Sequence, residues 1–294
     1  MKGLIFINPF LVPTQSVHQA ERLKEEFNKL GVEVEIVADG YLRVAVEGGE
    51  TSVNLGSPDF AIYLDKDKYL SQILTKSGLR LFNKHEAVRV CDDKGETYIA
   101  LVGKGINFPK TVFGALCYNE TLEIKKESAK SIGKMLGYPV IVKESFGSMG
   151  KGVYKADTED ELFDTMKKVK TRPHLFQQYI GVKKGVDVRV IVIGGKVVAA
   201  MERVNENDFR SNVARGGLGV KIELPEKFKA TAEKCAQVLG LDYCGVDLLY
   251  GENGEPIVCE VNSNAFFDGI EEVSGVNVAK AYAEYVIETI KNDK

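Results

Sequence analysis

The chain has 294 residues, 44% apolar and 28% charged, a make-up of soluble globular proteins long enough for two or three lobes. Its formal net charge of −3 and the lack of a dense Lys/Arg block argue against a nucleic-acid partner, and Lys125-Lys126 and Lys183-Lys184 read as solvated faces. No run reaches the ~18 apolar residues of a membrane helix, so no membrane partner is expected.

Five scattered cysteines (91, 117, 235, 244 and 259) with no C-x-x-C pair suit a reducing compartment. His18, His85 and His174 lie far apart and form no metal-ligand spacing. The chain opens directly on a strand, with no charged leader or cleavage site, and a cytoplasmic location is expected.

Strand Leu4–Ile7 precedes the cap candidates Thr14 and Ser16 and a helix over His18–Leu30, with Ala20, Leu23, Phe27 and Leu30 at helical spacing. Gly31 ends it, and Val32–Ala38 alternates as a strand. A hairpin around Gly48-Gly49, the apolar run Phe60–Leu64, a helix from Lys68 and a strand at Leu79–Phe82 complete a β-α-β order. That order describes a small, mostly parallel α/β lobe over residues 1–84.

From residue 85 two short helical stretches lead to Phe108-Pro109. A helix at Glu127–Leu136 stops at Gly137, and strand Val140–Lys143 runs into a glycine-rich turn and strand Gly152–Lys155. A helix capped by Thr158 runs to Val169, and Leu175–Ile180 forms a further strand. Long strands span Asp187–Arg203 around a tight Gly194-Gly195 turn. Helix Glu226–Leu239 places Phe228, Ala232, Cys235, Ala236 and Leu239 on one face, and a last helix covers Val276–Ile290. The organisation is an α/β lobe (1–84) followed by two α+β lobes (85–175 and 176–294).

Three constellations carry chemistry. In the first, apolar residues flank a Gly-Glu-Asn-Gly turn in Asp247–Asn262, predicting a hairpin that brings Asp247 near Glu260 and Asn262. Glu260 and Asn262, two apart on a strand, emerge on one face. Acids at a hairpin end are commonly just solvated, yet Glu260 follows the apolar run Ile257-Val258-Cys259, where a core-facing strand seldom puts a charge. Two carboxylates and an amide oxygen suit a hard cation such as Mg²⁺.

The second is Ser145–Gly152, just after Lys143, whose glycines let backbone N–H groups surround an anion. It is not a Walker A loop: Lys151 is followed by Gly152, and the segment leads into a strand. A mobile hairpin turn is the alternative. The third is a run of arginines (Arg189, Arg203, Arg210 and Arg215) among apolar strands, suited to phosphate or carboxylate oxygens. An internal salt-bridge network with Glu202, Glu206 and Asp208 is the equal alternative.

With these segments in order, the chain resembles the ATP-grasp superfamily and within it the RimK-like carboxylate–amine ligases. The likeness rests on Asp93-Lys94, Gly105–Thr111, Tyr138–Lys143, Gly147–Gly152, Val197–Arg203, Asp208–Asn212, Gly216-Gly217, Gly245–Asp247, Glu260–Ser263 and Gly269–Glu271. It spans about residues 85–290, and over 1–84 it is architectural only. The resemblance implies a three-lobed ATP-grasp architecture behind a small pre-ATP-grasp lobe.

It further implies a ligase that uses ATP with Mg²⁺ (or Mn²⁺) to join a carboxylate to an amine through an acyl phosphate. The acid and amine would be small molecules or peptides, glutamate being one candidate. A small-molecule kinase or a non-catalytic nucleotide-binding protein are the rivals. Self-association is common in such families, so a homo-oligomer is an open expectation.

Carried over by position, Lys94 and Lys143 would contact ATP phosphates, and Gly147, Ser148, Met149 and Gly150 would close over them. Gln178 and Tyr179 would read adenine, and Asp187 would lie by the sugar. Arg210, Ser211 and Asn212 would meet the γ-phosphate and the acyl phosphate, with Arg210, Asn212 and Lys143 as the catalytic set. Asp247, Glu260 and Asn262 would hold Mg²⁺, and Arg189, Arg203 and Arg215 would bind substrate carboxylates. After Asn262 the chain reads Ser-Asn-Ala-Phe-Phe-Asp where relatives carry a Ser-Pro-Gly-like turn, which leaves the acceptor open.

Overall fold

A computed structural model describes residues 1–10, 15–212 and 216–293. Thr14 and Arg215 therefore lie outside the described residues.

The first sheet takes the strands β1 (Lys2–Ile7), β2 (Glu33–Val37), β5 (Phe60–Leu64) and β6 (Leu81–Phe82) in the order β2-β1-β5-β6. Its pairs are parallel, as the alternation of strand and helix predicts. Helix α1 (Gln15–Lys29) begins earlier than the sequence suggests and takes Ser16 into its first turn, so Ser16 is not its cap. A small ribbon, β3 (Val44–Glu47) with β4 (Glu50–Val53), turns at Gly48-Gly49. Helix α2 (Lys68–Lys76) starts on Asp67, whose carboxylate accepts from the N–H groups of Tyr69 and Leu70.

Two short helices follow, α3 (His85–Asp92) and α4 (Lys94–Leu101). The central sheet has the order β7-β10-β8-β9, from β7 (Thr111–Phe113), β8 (Val140–Glu144), β9 (Val153–Ala156) and β10 (His174–Gln178). All its pairs are antiparallel. Helices α5 (Lys126–Leu136) and α6 (Glu159–Val169) cover one face, burying Ala129, Leu136, Leu162 and Val169 against Val140, Val142 and Phe176. The other face presents Ile141, Lys143 and Gln177, leaving it free to line a cleft.

The third sheet has the order β13-β12-β11-β14-β15. Strands β11 (Val186–Ile193) and β12 (Lys196–Val204) pair Ile193 with Lys196 across the two-residue turn Gly194-Gly195. Both turn residues have positive φ, 58° and 77°, which matches the twist a tight hairpin needs. After β13 (Leu218–Lys221), helix α7 (Glu226–Leu239) packs the predicted apolar face on the sheet and ends at Gly240 in the left-handed region. Strands β14 (Tyr243–Tyr250) and β15 (Pro256–Asn262) form the acidic hairpin.

The lobes share cores. Ala87, Cys91 and Leu101 of α3 and α4 pack with the third sheet, not with the central one. After α8 (Asp268–Ser274), the last helix α9 (Val278–Asn292) returns to the first lobe, where Val278, Tyr282 and Val286 join Leu23, Phe27 and Phe60 in one cluster. No helix among the described residues is long and apolar enough to cross a membrane.

Candidate active site

The free face of the central sheet looks across at the third sheet, and one cleft lies between them. Lys94, Lys143, Gly147, Ser148, Gly150, Gln178, Tyr179, Asp187, Arg210, Ser211, Asn212, Asp247 and Glu260 all line it. Residues spread over more than 160 positions thus converge because strands β8, β10, β11, β14 and β15 end their cavity-facing side chains on one space. Met149 does not line it: it sits at the loop tip with φ 55° and 42% exposure. Arg189 and Asn262 lie outside the lining as well.

The acidic hairpin forms and brings Asp247 beside Glu260. Asp247 stands directly opposite Glu260, and Asn262 pairs with Gly245, with a bulge after Asp247 that re-aims the strand beyond it. Asp247 is 2% exposed and is gripped from two sides. Arg189 donates to it twice, Nε to Oδ1 and Nη2 to Oδ2, each at 2.7 Å. Arg203 Nη2 lies 3.0 Å from Asp247 Oδ2, while Nε and Nη2 donate to Asp187 at 2.7 and 2.5 Å. Burial pushes the Asp247 carboxyl up, but the two guanidiniums outweigh it and hold the group down at about 2.

This geometry shows what holds Arg203. Arg203 also lines the cleft; it is 2% exposed, and its guanidinium is paired with both Asp187 and Asp247. Arg189 is committed to Asp247 in the same way. Arg189 and Arg203 thus build a salt-bridge network with Asp187 and Asp247 in place of the Glu202, Glu206 and Asp208 considered from sequence, of which Asp208 pairs with Arg210.

The cationic side of the cleft is equally organised. Lys143 is nearly buried, with Nζ 3.3 Å from the carbonyl of Cys259, which also accepts from the Tyr98 hydroxyl at 2.5 Å. Burial alone would favour a neutral amine, but Cys259, Tyr98 and Glu260 nearby hold the ammonium above its ordinary range. Lys94 opens α4, where Asp93 Oδ1 caps the helix by accepting from the N–H groups of Gly95 and Glu96 at 2.7 and 3.2 Å. Its Nζ donates to the carbonyl of Gly147 at 2.8 Å and lies 3.3 Å from Glu260 Oε1. Burial raises the Glu260 carboxyl, yet Lys94 brings the balance below the ordinary range.

The glycine-rich loop needs its glycines. Gly147, Gly150 and Gly152 have φ of 141°, 70° and 69°, where side chains are strained. Arg210 ties this loop to the third sheet: its guanidinium pairs with Asp208 and donates at 3.3 Å to the carbonyls of Gly150 and Val153. Gln177, Ile180, Phe209 and Cys259 also line the cleft, and motif reasoning passed over them. Their only signal is alternation on strands already placed, which shows facing but not what is faced.

Among the described residues no group of three or more His, Cys, Asp or Glu side chains could hold a metal ion. A divalent ion is expected on two carboxylates plus an amide. Asp247 and Glu260 in register offer the hard oxygens Mg²⁺ prefers. Asn262 shares the face of Glu260 two positions on, but it does not line the cleft and its unpartnered atom is the amide nitrogen, which is no metal ligand. The two carboxylates fit the ion.

A model of the RimK-like ATP-grasp domain matches residues 91–286. The chain belongs to the RimK-like ATP-grasp family. It is 33% identical over 237 residues to human N-acetylaspartylglutamate synthase A, covering 80% of this chain and 59% of that protein. The chain spans only somewhat over half the length of several such synthases, between 54% and 60%. It is 32% identical over 292 residues to a probable alpha-L-glutamate ligase of Psychromonas ingrahamii, covering 94% and 93% of the two chains. Among solved structures it superposes on the ATP-grasp ligase PsnB complexed with minimal precursor, Mg and ADP, with TM-score 0.71, 18% identity and 98% coverage of both chains. At that identity the likeness is one of fold. The three-sheet arrangement is thus the ATP-grasp architecture, behind its small α/β lobe.

Proposed function

We propose that this RimK-like ATP-grasp protein is an ATP- and Mg²⁺-dependent ligase that joins a carboxylate to an amine, releasing ADP and phosphate. The observation that carries this reading is the cleft itself, where two buried ammonium groups, a glycine loop and a pair of facing carboxylates converge. The names of the relatives, which are glutamate ligases and synthases, favour glutamate as one partner and a small metabolite or a peptide end as the other.

In the first step a carboxylate oxygen of the acid attacks the γ-phosphorus of ATP. The bond from that phosphorus to the bridging oxygen breaks, leaving ADP and an acyl phosphate. In the second step an amine nitrogen attacks the acyl carbon, phosphate departs with the C–O electron pair, and the nitrogen loses a proton to give the amide. Lys94 and Lys143 would neutralise phosphate charge during the first step, and Arg210, Ser211 and Asn212 would face the transferring group from the opposite wall. The loop at 147–152, tethered to Arg210, would keep water from the acyl phosphate. Asp247 and Glu260 would hold Mg²⁺, which when bound supplies charge neutralisation to the phosphate oxygens, and Mn²⁺ would suit the same oxygens. Arg189 and Arg203 would keep Asp247 ionised and aimed.

The test is ADP release from ATP and Mg²⁺ in the presence of carboxylic acids, with and without glutamate and other amines. ADP formation that requires both an acid and an amine supports the ligase. ADP formation with hydroxyl acceptors alone would make the protein a kinase, and none across a broad metabolite pool would make it a non-catalytic binder. A cytoplasmic, self-associating protein is the setting we infer.

A further inference from the structure

We propose that Tyr98 is a positioning residue for the ligase reaction: its hydroxyl fixes the Lys143 ammonium against the carbonyl of Cys259, so that the lysine meets the nucleotide phosphates in one place. The proposal rests on the reading of the cleft as a nucleotide site and adds a residue that acts on that site from behind its wall.

Three observations carry it. The first is placement. Tyr98 stands four residues after Lys94 on α4, so the two share a face of that helix. That face is turned to β15. Lys94 Nζ lies 3.3 Å from Glu260 Oε1, and the Tyr98 hydroxyl donates at 2.5 Å to the carbonyl of the preceding residue, Cys259. Tyr98 is 3% exposed and does not line the cleft, whereas Lys143 and Cys259 do. It therefore acts on a ligand only through them.

The second is how the hydrogen bonds are shared. A hydroxyl has one proton to give, and the Tyr98 proton goes to Cys259. Its oxygen is left to accept, and it is hydrogen-bonded to the Lys143 ammonium and to the Gln177 side chain. Lys143 Nζ in turn donates to the Cys259 carbonyl at 3.3 Å. Tyrosine, lysine and carbonyl thus close a ring of contacts that takes up two of the three ammonium protons. The third meets Cys259 Sγ at 3.7 Å, and a thiol is a weak acceptor that a charged phosphate oxygen readily displaces.

The third is rigidity. The Tyr98 ring packs on Phe108 with centroids 5.3 Å apart, and Asp93 caps the helix that carries it. The hydroxyl is therefore a fixed point. A lysine stem is flexible, and ordering it when a ligand arrives costs affinity. Held by Tyr98 and the carbonyl, Lys143 is ordered before any phosphate enters.

The experiment measures binding of ADP and of adenosine by calorimetry with Mg²⁺, on the full chain, Tyr98→Phe, Lys143→Met and the double variant. Adenosine lacks the phosphates that Lys143 would meet, so the ratio of ADP to adenosine affinity reads the lysine and not the fold. We expect Tyr98→Phe to lower that ratio about 10-fold, with adenosine affinity within about 2-fold of the unmodified chain. In the Lys143→Met background the same change should lower it by less than about 2-fold, because the group it acts through is gone. An unchanged ratio in Tyr98→Phe overturns the proposal, and so does a parallel weakening of both ligands, which a purely structural defect would give. A loss of about 10-fold that persists in the Lys143→Met background overturns it as well. Should Tyr98→Phe fail to fold, Tyr98→Met takes its place with the same outcomes, since methionine fills irregular space and carries no hydroxyl. Failure of the unmodified chain to bind ADP would instead overturn the nucleotide reading of the cleft, and the proposal with it.

Discussion

Replacing Arg203 with methionine separates an internal cation from a substrate anchor. Asp187, Arg203, Asp247 and Arg189 alternate in sign and sum to zero charge, and Asp187, Arg203 and Asp247 are 5%, 2% and 2% exposed. Methionine keeps most of the apolar stem of Arg203 but leaves Asp187 without its bidentate partner and Asp247 with one guanidinium in place of two. Breaking a buried pair by removing one member costs about 3–5 kcal/mol, because the remaining charge stays desolvated. Urea unfolding near neutral pH should show a loss of that size. Adding Asp187→Asn to Arg203→Met should recover part of it, so that the double variant falls short of the sum of the singles. If Arg203→Met changes stability by less than about 1 kcal/mol and only raises KM for an acid, Arg203 is a substrate anchor after all, and the network described here does not govern the site.

Glu260→Gln should lower ADP formation by at least about 100-fold while far-ultraviolet circular dichroism stays unchanged, since the amide keeps the shape but loses the charge that would hold Mg²⁺. Near-normal turnover would remove Glu260 from the metal role. Gly185 has φ +69° and an added Cβ would meet the carbonyl oxygens of Asn205 and Asp208 at 2.1 and 2.7 Å. Gly185→Ala should therefore cost about 2 kcal/mol or more in thermal or urea unfolding and weaken nucleotide binding through the 205–210 segment. The Asp247 carboxyl is held at about 2 in the folded chain against an ordinary 3.8. A lowered folded value contributes stability that is full above about pH 4 and is lost as pH falls toward 2, on the order of 2 kcal/mol. Urea midpoints across that range should fall more steeply for the unmodified chain than for Asp247→Asn, and parallel curves would contradict the assignment.

Much of this architecture was legible in the sequence where periodicity and turn chemistry agree. Helix α7 takes its predicted bounds because Phe228, Ala232, Cys235, Ala236 and Leu239 repeat at helical spacing and Gly240 stops it. The acidic hairpin is legible from its turn residues and flanking apolar runs, but its turn register would oppose Asp247 to Cys259, and only a bulge beside Leu248 brings Glu260 opposite Asp247. Strands β7 and β13 were not foreseen: each has three or four residues and one sheet neighbour, so little apolar alternation marks them. Helix α8 was missed for a similar reason, being seven residues long with Ile270 alone buried. The partners of Arg189 and Arg203 could not be read at all. Asp187 and Asp247 lie on the neighbouring strands, and which acid a strand arginine meets depends on register across a hairpin and a sheet.

The central claim is that a carboxylate is activated by taking the γ-phosphoryl group of ATP. With the acid substrate prepared with ¹⁸O in its carboxylate and the amine present, phosphate released during amide formation can be weighed by mass spectrometry. The account predicts that one ¹⁸O passes from the acid into each phosphate formed. Phosphate carrying no ¹⁸O while the amide accumulates would show that the acid never bore the phosphoryl group, and would contradict the account.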